Sequence, residues 1–138
     1  MTRVLGLDFG ERRIGVALSD PLGISAQRLT VLERTNLRAD LNAVRELVTR
    51  HGVEALVVGL PLTMKGERGV QAEKASTFAR QLQERVAVPV HLVDERLTTV
   101  EGERALRATN TSRRKRKATI DQVAAQLILQ QYLDRQRT

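Results

Sequence analysis

The sequence of residues 3–19 is RVLGLDFGERRIGVALS, and this stretch decides the fold. It contains two apolar runs, residues 3–7 and 14–19, separated by a turn over residues 9–13. Short runs rich in valine, leucine and isoleucine around a glycine-bearing turn predict two strands of an antiparallel hairpin. Asp8 closes the first run, so an acidic side chain stands at the mouth of a buried strand.

The chain beyond the hairpin alternates helical and strand patterns. Residues 27–32 alternate weakly and predict a third strand. Leu37, Leu41, Val44, Leu47 and Val48 then fall at helical spacing, with Gly52 as the residue that ends the helix. A strong buried strand over 55–59 and a loop over 60–69 follow, and then a helix over 70–86 and a strand over 88–93.

The last third of the chain predicts two more helices around a basic segment. Thr98 or Thr99 should cap a helix that runs to about Arg107. Residues 108–118 are expected to form a basic loop, and Thr119 to cap the last helix. The apolar face of that helix is expected to include Val123, Leu127 and Leu133.

The predicted order is three strands, then helix, strand, helix, strand and two helices. A starting hairpin followed by alternating units predicts an α/β fold with a mixed sheet. A chain of 138 residues predicts one domain over residues 1–138. In such sheets, ligands bind at the carboxyl ends of the strands, which is where Asp8 and Glu95 stand.

Three separated acidic residues, Asp8, Glu95 and Asp121, are the candidate chemical groups. If they converged they would repel one another unless a divalent cation lay among them, and Mg²⁺ and Mn²⁺ prefer such oxygen ligands. Each also has an ordinary interpretation, as a turn or cap residue or as an acid near a helix N-terminus. Asp94 stays an open alternative to Glu95, because neighbours on a strand point to opposite faces.

The composition indicates an acidic partner. The net charge is +7 and the pI is about 10.9, which favours binding to nucleic acid. No apolar run approaches the roughly 20 residues that span a bilayer, so no membrane partner is expected. Without cysteine there is no thiolate chemistry, and without a signal peptide the expected location is cytoplasmic. Aromatic residues make up only 2%, which argues against a base-stacking platform.

Several cations and one loop are candidates for phosphate binding. The run Arg113, Arg114, Lys115, Arg116 and Lys117 precedes the helix that carries Asp121, while Arg12, Arg13 and Arg96 border the acidic residues. Charge runs are also common on solvated surfaces. The loop over 59–69 could present backbone N–H groups to a phosphate or be an ordinary connection, and the sequence leaves both open.

Four segments in order give the chain a resemblance to a known family. The first is Gly6-Leu7-Asp8-Phe9-Gly10 with Arg13-Ile14-Gly15-Val16-Ala17 and Ser19-Asp20, and the second is Val58-Gly59-Leu60-Pro61-Leu62-Thr63-Met64-Lys65-Gly66. The third is Val93-Asp94-Glu95-Arg96-Leu97-Thr98-Thr99, and the last is Arg113-Arg114-Lys115 with Ile120-Asp121-Gln122-Val123-Ala124-Ala125 and Ile128-Leu129. The chain resembles the YqgF/RuvX family of the RNase H-like nuclease superfamily. The match covers nearly the whole chain.

The resemblance implies an RNase H-like fold with a central five-stranded mixed sheet flanked by helices. It also implies a metal-dependent nuclease site with Asp8, Glu95 and Asp121 as ligands. Family members are described either as nucleases that mature the 5′ end of pre-16S rRNA or as Holliday-junction resolvases, and the sequence does not separate the two.

The chemistry of phosphodiester hydrolysis fits this set of residues. Two divalent ions about 4 Å apart can activate a water and neutralise charge at the phosphorus. Asp8, on a central strand, is expected to bridge both ions, with Glu95 and Asp121 each completing one shell. Neither His51 nor His91 is well placed as a general base, which favours a metal-activated water.

Three functions are therefore expected from the sequence. The first is a metal-dependent endonuclease acting on structured RNA in ribosome biogenesis. The second is a nuclease acting on four-way DNA junctions, for which two symmetric cuts favour a homodimer. The third is a non-catalytic RNA-binding assembly factor, which would tolerate Asp8→Asn.

Overall fold

The computed structural model describes residues 3–61, 68–94 and 113–136. Their elements in chain order are β1 (Val4–Phe9), β2 (Arg13–Ser19), β3 (Ala26–Glu33), α1 (Leu37–His51), β4 (Ala55–Leu60), α2 (Val70–Gln83), β5 (Val90–Asp94) and α3 (Arg113–Gln136). The predicted hairpin, third strand and alternating α/β order are confirmed. The helix predicted from Thr98 or Thr99 to Arg107 lies outside the described residues.

The strands form one mixed sheet in the order β3-β2-β1-β4-β5. β1 and β2 are antiparallel, as are β2 and β3, whereas β4 is parallel to both β1 and β5. Because β1, β4 and β5 run in the same direction, their carboxyl ends lie at the same edge of the sheet. This five-stranded mixed sheet is the expected one.

The two faces of the sheet are packed differently. On one face, large side chains of β1, β2 and β4, such as Leu5, Leu7 and Ile14, join Leu41 of α1 and Phe78 of α2 in a buried cluster. On the other face, α3 packs across β1, β2 and β3. This second cluster combines small strand residues with the helix side chains Ala125, Ile128, Leu129 and Leu133.

The ends of α1 are set by local signals. The side chain of Asn36 accepts a hydrogen bond from the Ala39 N–H at 2.9 Å, which caps the first turn. Gly52 ends the helix with φ 60°, a left-handed conformation that glycine adopts without steric cost. The predicted role of Gly52 is confirmed.

The second helix is shorter than predicted, and the strand after it begins later. α2 ends at Gln83 rather than at residue 86, and β5 begins at Val90 rather than at residue 88. Pro89 has no N–H to give to a strand ladder. The side chain of Gln83 bonds to the Val88 carbonyl and to the Val90 N–H, both at 2.8 Å, and so joins the helix end to the strand start.

The last helix corrects two predictions. It begins at Arg113, so the predicted loop is wrong over 113–118 and Thr119 does not cap the helix. Arginine, lysine and alanine are strong helix formers, and no glycine or proline interrupts residues 113–136. The predicted apolar face is also partly wrong, because Val123 and Leu127 are only half-buried. Among residues 121–136 of α3, the buried apolar residues are Ala124, Ala125, Ile128, Leu129 and Leu133.

Within the three described ranges, no helix is long and apolar enough to cross a membrane.

Candidate active site

Asp8 lies at the carboxyl-terminal end of β1, the central strand of the sheet. It is half-buried and pairs with Gly15 of β2 across the antiparallel ladder. Gly6 shares the face of Asp8, since residues two apart on a strand point the same way. An added methyl group at Gly6 would meet Leu129 of α3. Asp8 therefore faces the side of the sheet that α3 covers.

The backbone of α3 touches the sheet at Gly15. A Cβ placed on Gly15 would lie 2.0 Å from the carbonyl oxygen of Asp121 and 2.4 Å from its carbonyl carbon. Cross-strand partners such as Gly15 and Asp8 stand about 5 Å apart between Cα atoms. The structure thus brings Asp121 beside Asp8, although the two residues are 113 positions apart in the sequence.

Asp121 lies in the third turn of α3, not in the first turn as predicted, because the helix starts at Arg113. The general attraction of acids to a helix N-terminus fades within the first turn. The ordinary interpretation of Asp121, as an acid that stabilises the helix start, therefore does not apply. Its position over Gly15 is set by packing.

β5 ends at Asp94, beside the end of β4. Val93 is buried in the cluster beneath α3, and the alternation of side chains along a strand turns Asp94 to the opposite face. By this alternation, Asp94 lies on the opposite face of the sheet from Asp8. Glu95 lies outside the described residues. Within those that are described, no group of three or more His, Cys, Asp or Glu residues is arranged to hold a metal.

The predicted basic residues are only partly brought together. Arg13 is on the face of Gly15 by strand alternation and pairs with Glu33 of β3 at 3.0 Å. Arg12 is exposed in the turn, and Arg96 lies outside the described part of the chain. The run Arg113, Arg114, Lys115, Arg116 and Lys117 forms the first turns of α3, leading directly into the turn that carries Asp121.

Neither histidine approaches Asp8. His51 is the last residue of α1, and the ring of His91 stacks against that of Tyr132, with 5.6 Å between ring centroids. His91 thus contacts the C-terminal half of α3, three turns from Asp121.

Sequence reasoning missed two residues that shape this region. Gly15 was assigned to a strand, but its lack of a side chain is what allows α3 to approach. Arg34, which follows β3, binds the carbonyl oxygens of Gly10 and Glu11 in the turn after Asp8, at 3.1 and 3.2 Å. A glycine inside an apolar strand is a recognised signal of close backbone approach. No comparable signal marks an arginine whose partners are backbone carbonyls.

The fold is an RNase H-like α/β fold of the RuvC type, which two solved structures share. The structure of Thermus thermophilus RuvC in complex with a Holliday junction substrate has a TM-score of 0.63 at 16% identity. It covers 100% of this chain and 98% of that one. A fowlpox virus resolvase in complex with Holliday junction DNA has a TM-score of 0.61 at 10% identity, covering 99% and 100%. At these identities the likeness concerns the fold.

The family is shown by sequence. The model of the RuvX family, described as "Holliday junction resolvase", matches residues 2–135, and the chain belongs to that family. A protein of Moorella thermoacetica named "Putative pre-16S rRNA nuclease" is 60% identical over 133 residues, covering 96% of this chain and 95% of the relative. A relative of the same name from Koribacter versatilis is 49% identical, covering 96% and 87%. The resemblance drawn from four short segments is confirmed.

Proposed function

We propose that this protein is a metal-dependent endonuclease that hydrolyses phosphodiester bonds of structured nucleic acid, and that it trims the 5′ end of pre-16S rRNA in the cytoplasm. The observation that carries the proposal is the seating of α3 on Gly15, which brings Asp121 beside Asp8. The names of the relatives that are 60% and 49% identical support the choice of substrate.

The carboxylates fit a hard divalent cation. Asp8 lies on β1, and the paired strands β2 and β4 on either side hold its backbone in place. Asp121 lies on α3, whose backbone contacts β2 at Gly15. Rigid carboxylate oxygens at the end of a sheet are ligands suited to Mg²⁺ or Mn²⁺. We assign Asp8, Glu95 and Asp121 as the residues that would hold such ions.

When bound, the ions supply charge neutralisation at the phosphorus and activation of the attacking water. The chain's own part is to keep the acidic oxygens fixed and leave space for the substrate. A fixed site of this kind needs no histidine base, in keeping with the distance of His51 and His91 from Asp8.

The basic residues are assigned to the phosphates that flank the cleaved bond. Five cations in the first turns of α3 oppose the helix macrodipole, which favours acids there. Their positive charges therefore do not stabilise this end of the helix, whereas they would favour an anionic partner. If the five residues of 113–117 neutralise about four phosphates, the logarithm of the binding constant should fall with the logarithm of salt concentration with a slope of roughly −3 to −4.

Arg12, Arg13 and Arg96 are assigned as further phosphate contacts. Contacts of this kind fix the position of the nucleic acid without reading its sequence. Arg13 is already paired with the exposed carboxylate of Glu33, and exposed ion pairs contribute little to stability. Replacing Glu33 by a phosphate as the partner of Arg13 should therefore cost little free energy.

A second candidate function is the resolution of four-way DNA junctions. It is favoured by the description of the family model. Because two strands must be cut symmetrically, this function would require a homodimer with one site per subunit.

The test is a cleavage assay with Mg²⁺ and with Mn²⁺ on a labelled pre-16S rRNA 5′ leader, a four-way DNA junction and linear controls of both. Asp8→Asn should abolish cleavage and leave nucleic-acid binding intact. Asp134→Asn, at the far exposed end of α3, is the matched control and should cleave normally. Faster cleavage of the junction would replace the RNA assignment by the DNA one. Binding without cleavage, equal in wild type and Asp8→Asn, would contradict catalysis and favour an assembly factor.

A further inference from the structure

Arg34 contacts four residues in α1, β1 and the turn that follows Asp8. Its Nε donates to the carboxylate of Asp40 at 3.1 Å. One terminal nitrogen donates to the carbonyl oxygens of Gly10 and Glu11, at 3.1 and 3.2 Å. Its guanidinium carbon lies 4.3 Å from the centre of the Phe9 ring, in a cation–π contact.

The anchor of this arrangement is rigid. Asp40 is only 4% exposed and lies in the first turn of α1, where an acid is favoured. Its second carboxylate oxygen accepts a hydrogen bond from the Thr35 N–H at 3.1 Å. The carboxylate is therefore held from two sides, and it holds Arg34 in one orientation.

Among the described residues, the turn that Arg34 contacts is also held by other bonds, one of them from the Arg34 backbone N–H to the Arg12 carbonyl at 2.9 Å. The Gly10 N–H donates to the Arg13 carbonyl at 2.9 Å, and the side chain of Gln71 reaches Glu11 at an exposed position. Phe9 also stacks on Phe78 of α2, with ring centroids 4.3 Å apart. Arg34 thus fixes the carbonyl groups two and three residues beyond Asp8 and clamps the ring directly after it.

We propose that Arg34, oriented by the buried Asp40, is a positioning residue that sets the carboxylate of Asp8 for divalent-cation binding. The inference rests on the proposed function. Metal sites need their ligands fixed to within about 0.5 Å, and Asp8 is the last residue of β1 but one. If the turn moved, the movement would reach Asp8 through only one intervening residue, Phe9.

Arg34→Lys is the informative substitution, because it keeps the positive charge and removes the planar guanidinium group with its several N–H donors. One ammonium group cannot serve the Asp40 carboxylate and two carbonyl oxygens in the same geometry. Arg28→Lys is the matched control, since Arg28 is an exposed arginine of β3, the strand that precedes Arg34. Asp40→Asn is the second variant, and it should act in the same direction as Arg34→Lys.

Three readouts separate positioning from a general structural role. Arg34→Lys should weaken Mn²⁺ binding, followed by electron paramagnetic resonance, by about 10- to 100-fold. It should lower kcat by a similar factor while KM for the nucleic acid changes by less than about twofold. The Gly10 amide should exchange its hydrogen faster than in wild type. Arg28→Lys should match wild type in all three.

Unchanged Mn²⁺ affinity and unchanged Gly10 exchange in both Arg34→Lys and Asp40→Asn would overturn the inference. So would a raised KM with unchanged kcat, because Arg34 would then contact the substrate. Should the wild type cleave no nucleic acid, the proposed function fails. The role of Arg34 is then decided by Mn²⁺ affinity and amide exchange alone.

Discussion

Gly15→Ala adds one methyl group where α3 crosses β2, and it changes no group that takes part in chemistry. The new Cβ would lie 2.0 Å from the carbonyl oxygen of Asp121, whereas ordinary contact begins at 3.4 Å. The obstacle is backbone, so no side-chain rotation relieves it. The turn of α3 that carries Asp121 must therefore move away from the sheet by about 1.4 Å, if strand β2 stays in place.

A movement of this size is larger than a catalytic site tolerates. A displacement of about 1 Å costs on the order of 100-fold in rate, so Gly15→Ala should lower kcat by about 100-fold or more. Overpacking of this kind costs roughly 1–3 kcal/mol, which corresponds to a fall of roughly 3–12 °C in Tm for a chain of this length. The variant should therefore stay folded at 25 °C and be nearly inactive.

The assay is single-turnover cleavage of the substrate that the wild type cuts fastest, with Tm measured on the same samples by circular dichroism. Gly69→Ala is the control, because a Cβ at Gly69 meets nothing within 4 Å. It should retain wild-type kcat. A folded Gly15→Ala protein that cleaves as fast as wild type would refute the reasoning, since the placement of Asp121 over Gly15 would then have no bearing on the site.

Three further predictions concern the scaffold. Gln130→Ala removes hydrogen bonds to the Ala26 N–H and the Ile24 carbonyl, at 2.9 and 3.0 Å, and should lower the free energy of unfolding in urea by about 1–3 kcal/mol; Gln131→Ala should cost less. The pKa of Asp20 lies below its ordinary value, mainly because the Ile24 N–H donates to its carboxylate. The stability from this charge is therefore present above the ordinary pKa and is lost as pH falls through the lowered one. Urea unfolding at a series of pH values should show the wild type and Asp20→Asn converging below about pH 4, and a constant difference would contradict the assignment. Leu56→Ala, in the core under α1 and α2, should cost about 2–5 kcal/mol while kcat per folded molecule stays near wild type.

The sheet could be predicted from the sequence because its signals are local. Each apolar run, such as 4–7 or 55–59, forms a strand, and turn residues separate the first three. Gly52 marks the end of α1 for the same reason. The start of α3 could not be predicted so directly. Five adjacent cations are typical of a loop, but the helix propensity of arginine and lysine prevails over residues 113–118.

The candidate site was predictable only in its parts. Asp8 was identified from its position at a strand end, which the structure confirms. The approach of Asp121 to it depends on how closely α3 packs on β2, a tertiary property with no period in the sequence. The role of Arg34 depends on hydrogen bonds to carbonyl groups 23 and 24 residues away, which any residue type could supply. Candidate catalytic side chains can thus be identified from residue type and position in the sequence. The residues that orient them can be identified only from the three-dimensional structure.

The two faces of the sheet contribute differently: one stabilises the fold, and the other sets the position of Asp121 relative to Asp8. Under α1 and α2 the strands carry large side chains such as Leu5, Leu7 and Leu56, which bury much apolar area and contribute accordingly to folding. Under α3 the paired positions Gly6 and Ala17, and then Gly15, are small, so they bury little but let the helix backbone come within contact of the strands. That close approach has no evident advantage for stability, since a leucine would bury more surface than a glycine. It does fix the distance between Asp121 and Asp8 by backbone contact, which no side-chain rotation can change. Fixed backbone positions for the two aspartates are what the proposed divalent-cation site would require.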